Sequence, residues 1–294
     1  MNLIEYTDEF SPNGYAHSKD LYLDIETTGV RRYADFAWCI GYSYIKNNEI
    51  HSKQLLLNNS SDELASLSLL QHEMDRFDRI VTFNGDVFDL PFLYNRARSY
   101  GMELNFPKER VDLYKLLRAN KKFMMLDKIN LKTAEILADV DRNDNVSGYE
   151  TIKLYEEVIK TGDEAKRDLL LKHNYYDVRN LPILMKIFLP IKNARTIVLD
   201  EQSFFVNDFN VVGDSLEVRI SSKYESLSIN YYDEFVAIDG SKHEIIIRFK
   251  VKTALKDGKV ISYFAHNNRV FQMDKLFYPI IKEEVTGALE KICK

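Results

Sequence analysis

The chain has 294 residues, of which 45% are hydrophobic, and it carries a formal net charge of −5. A chain of this length can bury a sizeable core, and we expect two domains. The negative net charge excludes a uniformly basic surface that would coat itself with nucleic acid, so any contact with a polyanion must come from local patches.

Cysteine content and the N-terminal residues bear on the cellular compartment. Cys39 and Cys293 lie far apart and show no metal-ligand spacing. A secreted disulfide scaffold would use more cysteines, so we expect a reducing, cytoplasmic location. Residues 1–20 contain acids before the first base and no long apolar run, which argues against a signal peptide. No window approaches a membrane span, so no membrane partner is expected.

The first strong strand pattern is L-Y-L-D-I-E-T-T-G, residues 21–29. Successive side chains on a strand point to opposite faces, so Asp24 and Glu26 share one face. Two carboxylates this close repel each other and raise each other's pKa unless a cation lies between them. Oxygen ligands of this kind select Mg²⁺ or Mn²⁺ rather than zinc. An isolated D-x-E would more simply be a solvated strand end, and only the acids further along the chain favour a metal site.

Strand and helix patterns then alternate. The predicted elements are strands at 36–45 and 50–57, a helix at 61–74, a strand at 80–83, a helix ending near Tyr100, a buried segment at 110–113, and helices within 112–139, 149–161 and 163–181. The strands at 36–45 and 50–57 are predicted to form a hairpin through an Asn-Asn turn. The polar residues 141–147 predict a loop. A strand followed by a helix and another buried segment predicts a mixed α/β sheet with its site at the strand ends. Pro182 should break or kink the last helix near Asn180.

The pattern changes in the last third of the chain. Residues 215–221 and 243–255 alternate apolar with polar side chains, which is typical of half-buried antiparallel strands. Asp239-Gly240 and Asp257-Gly258 predict hairpin turns, and a closing helix is expected near Pro279.

Four acids on three segments could meet in one site. Asp24 and Glu26 lie on the first strand, Asp89 follows the N-G-D-V-F turn, and Asp177 lies on the helix that contains Pro182. Carboxylates that meet at one sheet edge can hold two divalent ions about 3.5–4 Å apart, a site able to activate water and to stabilise an in-line displacement at phosphorus.

Three motifs in this chain, L-D-I-E-T-T-G, F-N-G-D-V-F-D-L-P-F-L and H-N-Y-Y-D-V-R-N-L, resemble those of the DEDD superfamily of 3′→5′ exonucleases, and within it the YprB-type branch. The resemblance covers residues 19–189 and keeps the order and spacing of the motifs. It implies an α/β, ribonuclease-H-like mixed sheet flanked by helices over residues 1–192. A smaller antiparallel β-rich domain with a terminal helix is predicted over residues 193–294.

The resemblance also implies the roles of individual residues. The four carboxylates would be ligands of Mg²⁺ or Mn²⁺, with two ions expected. Asn84 and Phe88 would support the second motif near the substrate, and Thr27 directly follows the acids of the first motif. We expect Thr27, Asn84 and Phe88 to contact the substrate.

One position departs from the family pattern. Related nucleases place a tyrosine four residues before the last aspartate or a histidine five before it, whereas His173 stands four and Lys172 five residues before Asp177. Residues four apart share a helix face, so the ring of His173 can reach the site. A lone histidine is usually a capping or packing residue, but histidine is the commonest general base, and we expect a catalytic role. Tyr175 and Tyr176 point to other helix faces.

A basic patch between Lys115 and Lys132 contains six bases and one acid. Beside a nuclease site it could hold phosphates, and we predict that role for Lys121 and Lys122, although a solvated helix face remains open.

Basic residues also alternate along a C-terminal strand, at Arg248, Lys250 and Lys252. Nucleic-acid binding and the outer face of a strand are both open for them, and we favour the outer face.

We therefore predict a metal-dependent hydrolase that removes nucleotides from the 3′ end of single-stranded DNA or RNA by water attack on the phosphodiester. Its polarity comes from the resemblance alone, and the choice between DNA and RNA depends on a pocket beside the 2′ position. Two alternatives stay open: a ribonuclease-H-like endonuclease, and a non-catalytic module that keeps the acids, has lost turnover through the change at His173, and contacts a protein partner through the C-terminal domain.

Overall fold

The computed structural model describes residues 1–142, 148–222, 229–241, 243–266, 268–273 and 277–293. The chain divides into two compact units. The first unit comprises Met1–Asn120 and Lys128–Phe188, and the second comprises Lys121–Asp127 and Leu189–Lys294. The domain boundary after residue 192 stays a prediction.

The first unit contains a six-stranded sheet. Its strands are β1 (Asn2–Glu9), β2 (Asp20–Thr27), β3 (Ala37–Lys46), β4 (Glu49–Leu56), β5 (Arg79–Thr82) and β6 (Glu109–Asp112), in the order β1-β4-β3-β2-β5-β6. The pairs β2–β5 and β5–β6 are parallel and the others antiparallel. The predicted Asn-Asn hairpin is confirmed, because Asn47 and Asn48 have φ values of 54° and 61°, as a tight two-residue turn requires. The exposed edge strand β1 was not predicted.

Helices flank this sheet. They are α1 (Glu63–Met74), α2 (Asp89–Ser99), α3 (Leu113–Met124), whose last residues belong to the second unit, α4 (Leu131–Ala138), α5 (Gly148–Thr161) and α6 (Glu164–Leu184). Short 3-10 turns lie at Ser60–Asp62 and Met185–Ile187. The predicted mixed α/β sheet flanked by helices is therefore confirmed.

The central strand β2 explains where the acids point. Leu21, Leu23 and Ile25 join the apolar cluster that also contains residues of α1 and α2. Because side chains alternate along a strand, Asp24 and Glu26 face the other side of the sheet, where α5 and α6 pack.

Of the predicted break or kink near Asn180, the break is wrong and the kink stays a prediction. Helix α6 continues through Pro182 to Leu184. A proline in a helix has no N–H for the carbonyl four residues earlier, which here belongs to Val178. The hydroxyl of Ser43 donates to that carbonyl oxygen at 2.6 Å. A side chain from β3 thus replaces the hydrogen bond that proline removes.

The second unit is an antiparallel β-rich domain with a terminal helix, as predicted. Its strands are β7 (Thr196–Leu199), β8 (Gln202–Val212), β9 (Ser215–Ser222), β10 (Ile229–Tyr232), β11 (Val236–Ser241), β12 (Glu244–Lys256), β13 (Lys259–His266) and β14 (Arg269–Gln272); its helices are α7 (Phe188–Arg195), which begins at the unit boundary, and α8 (Tyr278–Leu289). The main strand order is β10-β11-β12-β9-β8-β7, and β13 pairs with β12 and β14. None of the described helices combines the length and hydrophobicity that crossing a membrane needs.

One predicted turn in this unit is wrong and one is confirmed. Asp239 and Gly240 lie inside β11, paired with both neighbouring strands. A Cβ atom on Gly240 would lie 3.1 Å from the side chain of Ile229, so the glycine serves close strand packing. Asp257 and Gly258 do form the β12–β13 turn, with φ values of 51° and 74°.

Candidate active site

Strand β2 and helix α6 bring three ligand-type side chains together. Ligand atoms of Glu26, His173 and Asp177 all lie within 4.8 Å of one another, and all three residues are buried. His173 Nε2 lies 3.4 Å from a carboxylate oxygen of Asp177 and 3.9 Å from one of Glu26. The i, i+4 spacing on α6 gives this geometry, because both side chains then share one helix face.

Hydrogen bonds fix the other two acids beside this cluster. Asp89, the first residue of α2, accepts the backbone N–H of Ile25 at 3.0 Å. Ile25 lies between the two acids of β2, so the bond attaches Asp89 to the first motif. Asn174 on α6 donates to Asp24 Oδ2, also at 3.0 Å. All four predicted acids are thus drawn from three segments towards the same end of the sheet.

Asn174 also fixes the distance between α6 and the sheet. Its side-chain oxygen accepts from Gln54 Nε2 on β4 at 2.9 Å. A Cβ atom on Gly41 would lie 2.2 Å from that oxygen, far inside van der Waals contact. Glycine on β3 is therefore what allows α6 to approach closely enough for Asn174 to reach Asp24.

The electrostatics of the acids follow from burial and crowding. Burial raises the pKa of Asp24 well above its usual range, and the nearby charges of Asp177, Asp89 and Glu26 raise it further. Burial and the charge of Asp177 raise the pKa of Glu26 to about 8, against a hydrogen bond from Thr151 that lowers it. Burial also raises the pKa of Asp89 to about 7.

Arg142 is a cation in this cluster that the sequence analysis missed. Its guanidinium group donates to Asp177 and to Glu135, and Nη2 lies 2.8 Å from His173 Nδ1. Because guanidinium can only donate, Nδ1 must be the acceptor, and the proton of a neutral His173 ring lies on Nε2. Arg142 falls in the loop predicted at 141–147, of which residues 143–147 lie outside the described residues.

The donor set fits a hard divalent cation. Two carboxylates and one imidazole converge, two more carboxylates lie beside them, and oxygen-rich sites of this kind suit Mg²⁺ or Mn²⁺. Burial has raised the pKa of three of these carboxyls, and a divalent cation would favour their charged forms.

The residues predicted to contact substrate lie within the first and second motifs, where two of them make local hydrogen bonds. Thr27 is buried, and its hydroxyl donates to the carbonyl oxygen of Gly29 at 2.8 Å. Asn84 has φ of 66°, and its N–H donates to Asp112 Oδ1 at 2.9 Å. Phe88 is half-buried and immediately precedes α2. Substrate contact by Thr27, Asn84 and Phe88 stays a prediction.

The two predicted phosphate-binding lysines belong to the second unit. Lys122 donates to the Asp208 carboxylate and, at 2.9 Å, to the Phe209 carbonyl oxygen. Both lysines are exposed, and the charge of Lys122 is already paired inside that unit. A role in holding phosphates stays a prediction for both.

Asp112 is a second contributor that the sequence analysis missed. Its carboxylate accepts backbone N–H groups from Asn84, Asp86 and Tyr114, at 2.9 to 3.2 Å. It holds the turn of the second motif against the start of α3. An aspartate directly before a helix pattern is a capping signal that could have identified it.

Comparison with known proteins identifies the family. The RNase_H_2 profile, described as RNase_H superfamily, matches residues 21–189. The match covers more than half of the chain and contains Asp24, Glu26, Asp89 and Asp177. The chain belongs to the RNase_H superfamily. Nucleases of this superfamily use divalent metals and act on nucleic acids, in keeping with the acidic cluster.

Several solved structures are similar at low identity. A family B DNA polymerase from the hyperthermophilic archaeon Pyrobaculum calidifontis is 20% identical with a TM-score of 0.47, over 60% of this chain and 25% of that chain. Brucella melitensis NrnC bound to pGG is 16% identical with a TM-score of 0.34, over 65% of this chain and 96% of that chain. SSB/Exonuclease I in complex with an inhibitor is 12% identical with a TM-score of 0.33, over 69% of this chain and 55% of that chain. This chain therefore spans about a quarter of the polymerase. No curated protein gave a significant match.

Proposed function

We propose that this protein is a metal-dependent 3′→5′ exonuclease of the DEDD type that hydrolyses phosphodiester bonds at the ends of single-stranded DNA or RNA. The observation that carries the proposal is the approach of Glu26, His173 and Asp177 to within 4.8 Å of one another, with Asp24 and Asp89 attached beside them. Membership of the RNase_H superfamily supports a nuclease as the class. The YprB-type branch remains a prediction.

Each acid has a role in this proposal. Asp24, Glu26, Asp89 and Asp177 would hold one or two Mg²⁺ or Mn²⁺ ions. Bound ions supply Lewis acidity and help to align a water for in-line attack on phosphorus. The four carboxylates have fixed positions, because each lies on a strand or helix that packs in the first unit.

His173 would accept the proton of the attacking water. The water oxygen bonds to phosphorus, the bond from phosphorus to the 3′ oxygen of the preceding nucleotide breaks, that oxygen takes up a proton from solvent, and a 5′-mononucleotide leaves. Nε2 faces the acids, but its lone pair becomes available only when the ring proton moves to Nδ1. Arg142 must therefore release Nδ1 before His173 can act as a base.

The test uses single-stranded DNA and RNA labelled at the 5′ end, with the 3′ end either free or blocked. We expect a ladder of products shortened one nucleotide at a time from free 3′ ends, dependent on Mn²⁺ or Mg²⁺ and abolished by chelation. Asp24→Asn should abolish the ladder without unfolding the protein. Asp75→Asn, at an exposed acid just after α1, is the matched control and should keep full activity.

Other outcomes would replace the proposal. Internal cleavage of blocked substrates would indicate a ribonuclease-H-like endonuclease. Binding with no metal-dependent product would indicate a non-catalytic module, with the second unit as the surface to test for a protein partner. Full activity in Asp24→Asn would remove the assigned site.

A further inference from the structure

Strands β12 and β13 continue beyond the pairing of β12 with β9 and β11 as a ribbon, which β14 flanks only from Tyr263 to His266. Strand β12 pairs with β9 as far as Lys250 and with β11 as far as Phe249. From Val251 onwards it pairs with β13, in a register that runs from Val251 opposite Phe264 to Lys256 opposite Lys259. Residues 252–256 and 259–260 are exposed on both faces of the ribbon. This segment therefore contributes little to the core of the second unit.

The ribbon has two chemically different faces. Residues directly opposite each other on antiparallel strands share a face. One face carries the pairs Lys252–Tyr263, Ala254–Ile261 and Lys256–Lys259, and the other carries Val251–Phe264, Thr253–Ser262 and Leu255–Val260. Lys250 lies on the first face too, because it is two residues before Lys252 on the same strand. We name this surface, formed by Lys250, Lys252, Lys256 and Lys259, the lysine face.

The charges of the lysine face are not neutralised by the described residues. No ion pair joins any of its four lysines to a carboxylate within that part of the chain, and all four are exposed. Arg248 provides a contrast, because it is the next residue on the same face and pairs with Glu217 at 3.0 Å and with Asp239. The arginine thus makes structural ion pairs, whereas none of the four lysines forms one within the described residues.

The register also places two cations against each other. Lys256 and Lys259 are direct cross-strand partners beside the turn. Like charges in this arrangement destabilise a hairpin, and a bound polyanion would relieve the repulsion. The half-exposed ring of Tyr263 lies on the same face and could stack on a base. Cations in a row beside an aromatic ring are typical of surfaces that bind single strands.

We propose that the lysine face binds the phosphate backbone of single-stranded nucleic acid, as a site separate from the acidic cluster. The choice of nucleic acid among polyanions rests on the proposed function, whereas the existence of an anion site rests on the ribbon alone. This proposal is compatible with the outer strand face favoured for Lys250 and Lys252, because both side chains are exposed on that face.

The experiment measures binding without catalysis. The full chain carrying Asp24→Asn is mixed, in chelator, with a fluorescein-labelled oligothymidylate of about 20 nucleotides, longer than the roughly 4–16 nucleotides of a typical single-strand site. Fluorescence anisotropy gives Kd across a salt series. The test variant adds Lys252→Gln, Lys256→Gln and Lys259→Gln. The matched control adds Thr253→Glu, Leu255→Glu and Ser262→Glu, which make the same change in net charge on the opposite face.

We expect the glutamine variant to weaken binding at least tenfold at low salt. The slope of log Kd against log salt concentration should fall by about 2, because three lysines are replaced and each phosphate contact to a single strand contributes about 0.7. The glutamate variant should keep the parent slope and lose only a small part of the affinity. Thermal melts check that both variants remain folded.

Three results would overturn the inference: an unchanged Kd and slope in the glutamine variant, an equal loss in both variants, or binding to phosphatidylserine vesicles in place of the oligonucleotide. Because the assay requires no hydrolysis, the two proposals fail separately. If the wild-type chain cleaves nothing but the Asp24→Asn protein binds through the lysine face, the exonuclease proposal is refuted and the lysine-face proposal stands. If the wild-type chain cleaves and the glutamine variant binds normally, the lysine-face proposal is refuted and the exonuclease proposal stands.

Discussion

The guanidinium group of Arg142 donates a hydrogen bond to the carboxylate of Asp177, the acid that α6 contributes to the site. Arginine remains charged at any physiological pH, so this contact places a permanent cation at one of the four carboxylates assigned to metal. An Mg²⁺ or Mn²⁺ ion held by Asp177 would have to compete with Arg142.

Arg142→Gln should therefore tighten Mn²⁺ binding, because the competing cation is gone. Hydrogen bonds to charged groups contribute about 1.5–3 kcal/mol, so we expect Kd to fall by about tenfold or more. Isothermal titration calorimetry measures the change. Arg179→Gln is the matched control, since Arg179 lies on α6 two residues after Asp177 and pairs with Asp8 at 3.6 Å instead. Weaker Mn²⁺ binding in Arg142→Gln would show that the guanidinium instead holds Asp177 in its metal-binding position.

His173→Ala should slow single-turnover cleavage by about 10²–10⁴-fold, the usual contribution of a general base. Mn²⁺ affinity should change little, because the carboxylates remain. His173→Tyr should restore part of the rate if the residue mainly orients water. A wild-type rate and pH profile in His173→Ala would show that the histidine only packs on the helix.

The metal-free protein should lose stability as the pH rises. The pKa of Glu26 moves from 4.5 to about 8 on folding and that of Asp89 from 3.8 to about 7. The folded state therefore holds protons that the unfolded state has released, so the free energy of unfolding is steady below about pH 4 and declines up to about pH 8, by up to about 1.4 kcal/mol per pKa unit.

Urea titrations in chelator across this pH range measure the decline. Added Mg²⁺ should remove most of it, and Glu26→Gln should flatten it. Glu103→Gln, at an exposed acid, should leave the slope as it is. A free energy of unfolding that does not change between pH 4 and pH 8 in chelator would contradict the crowding of these acids.

Gly41→Ala should destabilise the protein by about 1–3 kcal/mol, the usual cost of overpacking, because the added methyl group would overlap Asn174. It should also impair cleavage, since Asn174 would move away from Asp24. Chemical denaturation and rate measurements check both effects. In an Asn174→Ala background, Gly41→Ala should cost much less. Equal costs in the two backgrounds would mean that the clash is not the cause.

Phe123 should determine the stability of the second unit. It is 5% exposed, and its ring centroid lies 5.0 Å from that of Tyr278 and 5.4 Å from that of Phe209. Phe123→Ala should cost about 3–5 kcal/mol. Hydrogen exchange should show the loss in β8, β9 and α8. Phe277→Ala, at an exposed phenylalanine of the same unit, should show almost none.

The predicted boundary after residue 192 can be tested with the same variant. Limited proteolysis of Phe123→Ala should degrade the second unit first and leave a folded N-terminal fragment with its end near residues 190–200. If no such fragment survives, the predicted division of the chain is wrong.

The motifs were readable from the sequence because their information is local. Alternation along β2 placed Asp24 and Glu26 on one face, and a four-residue spacing on α6 placed His173 beside Asp177. The Asn-Asn and Asp257-Gly258 turns, the mixed sheet and the change to antiparallel strands followed from patterns within short windows. Each depends on neighbours in sequence, which is why a pattern could predict it.

The tertiary structure alone decided the features that depend on residues far apart in the chain. Pro182 does not break its helix because Ser43, from a strand 135 residues before Val178, supplies the missing donor. Arg142 reaches Asp177 from 35 residues away. No periodicity encodes such contacts, because they form only when packing has fixed the distance between two elements.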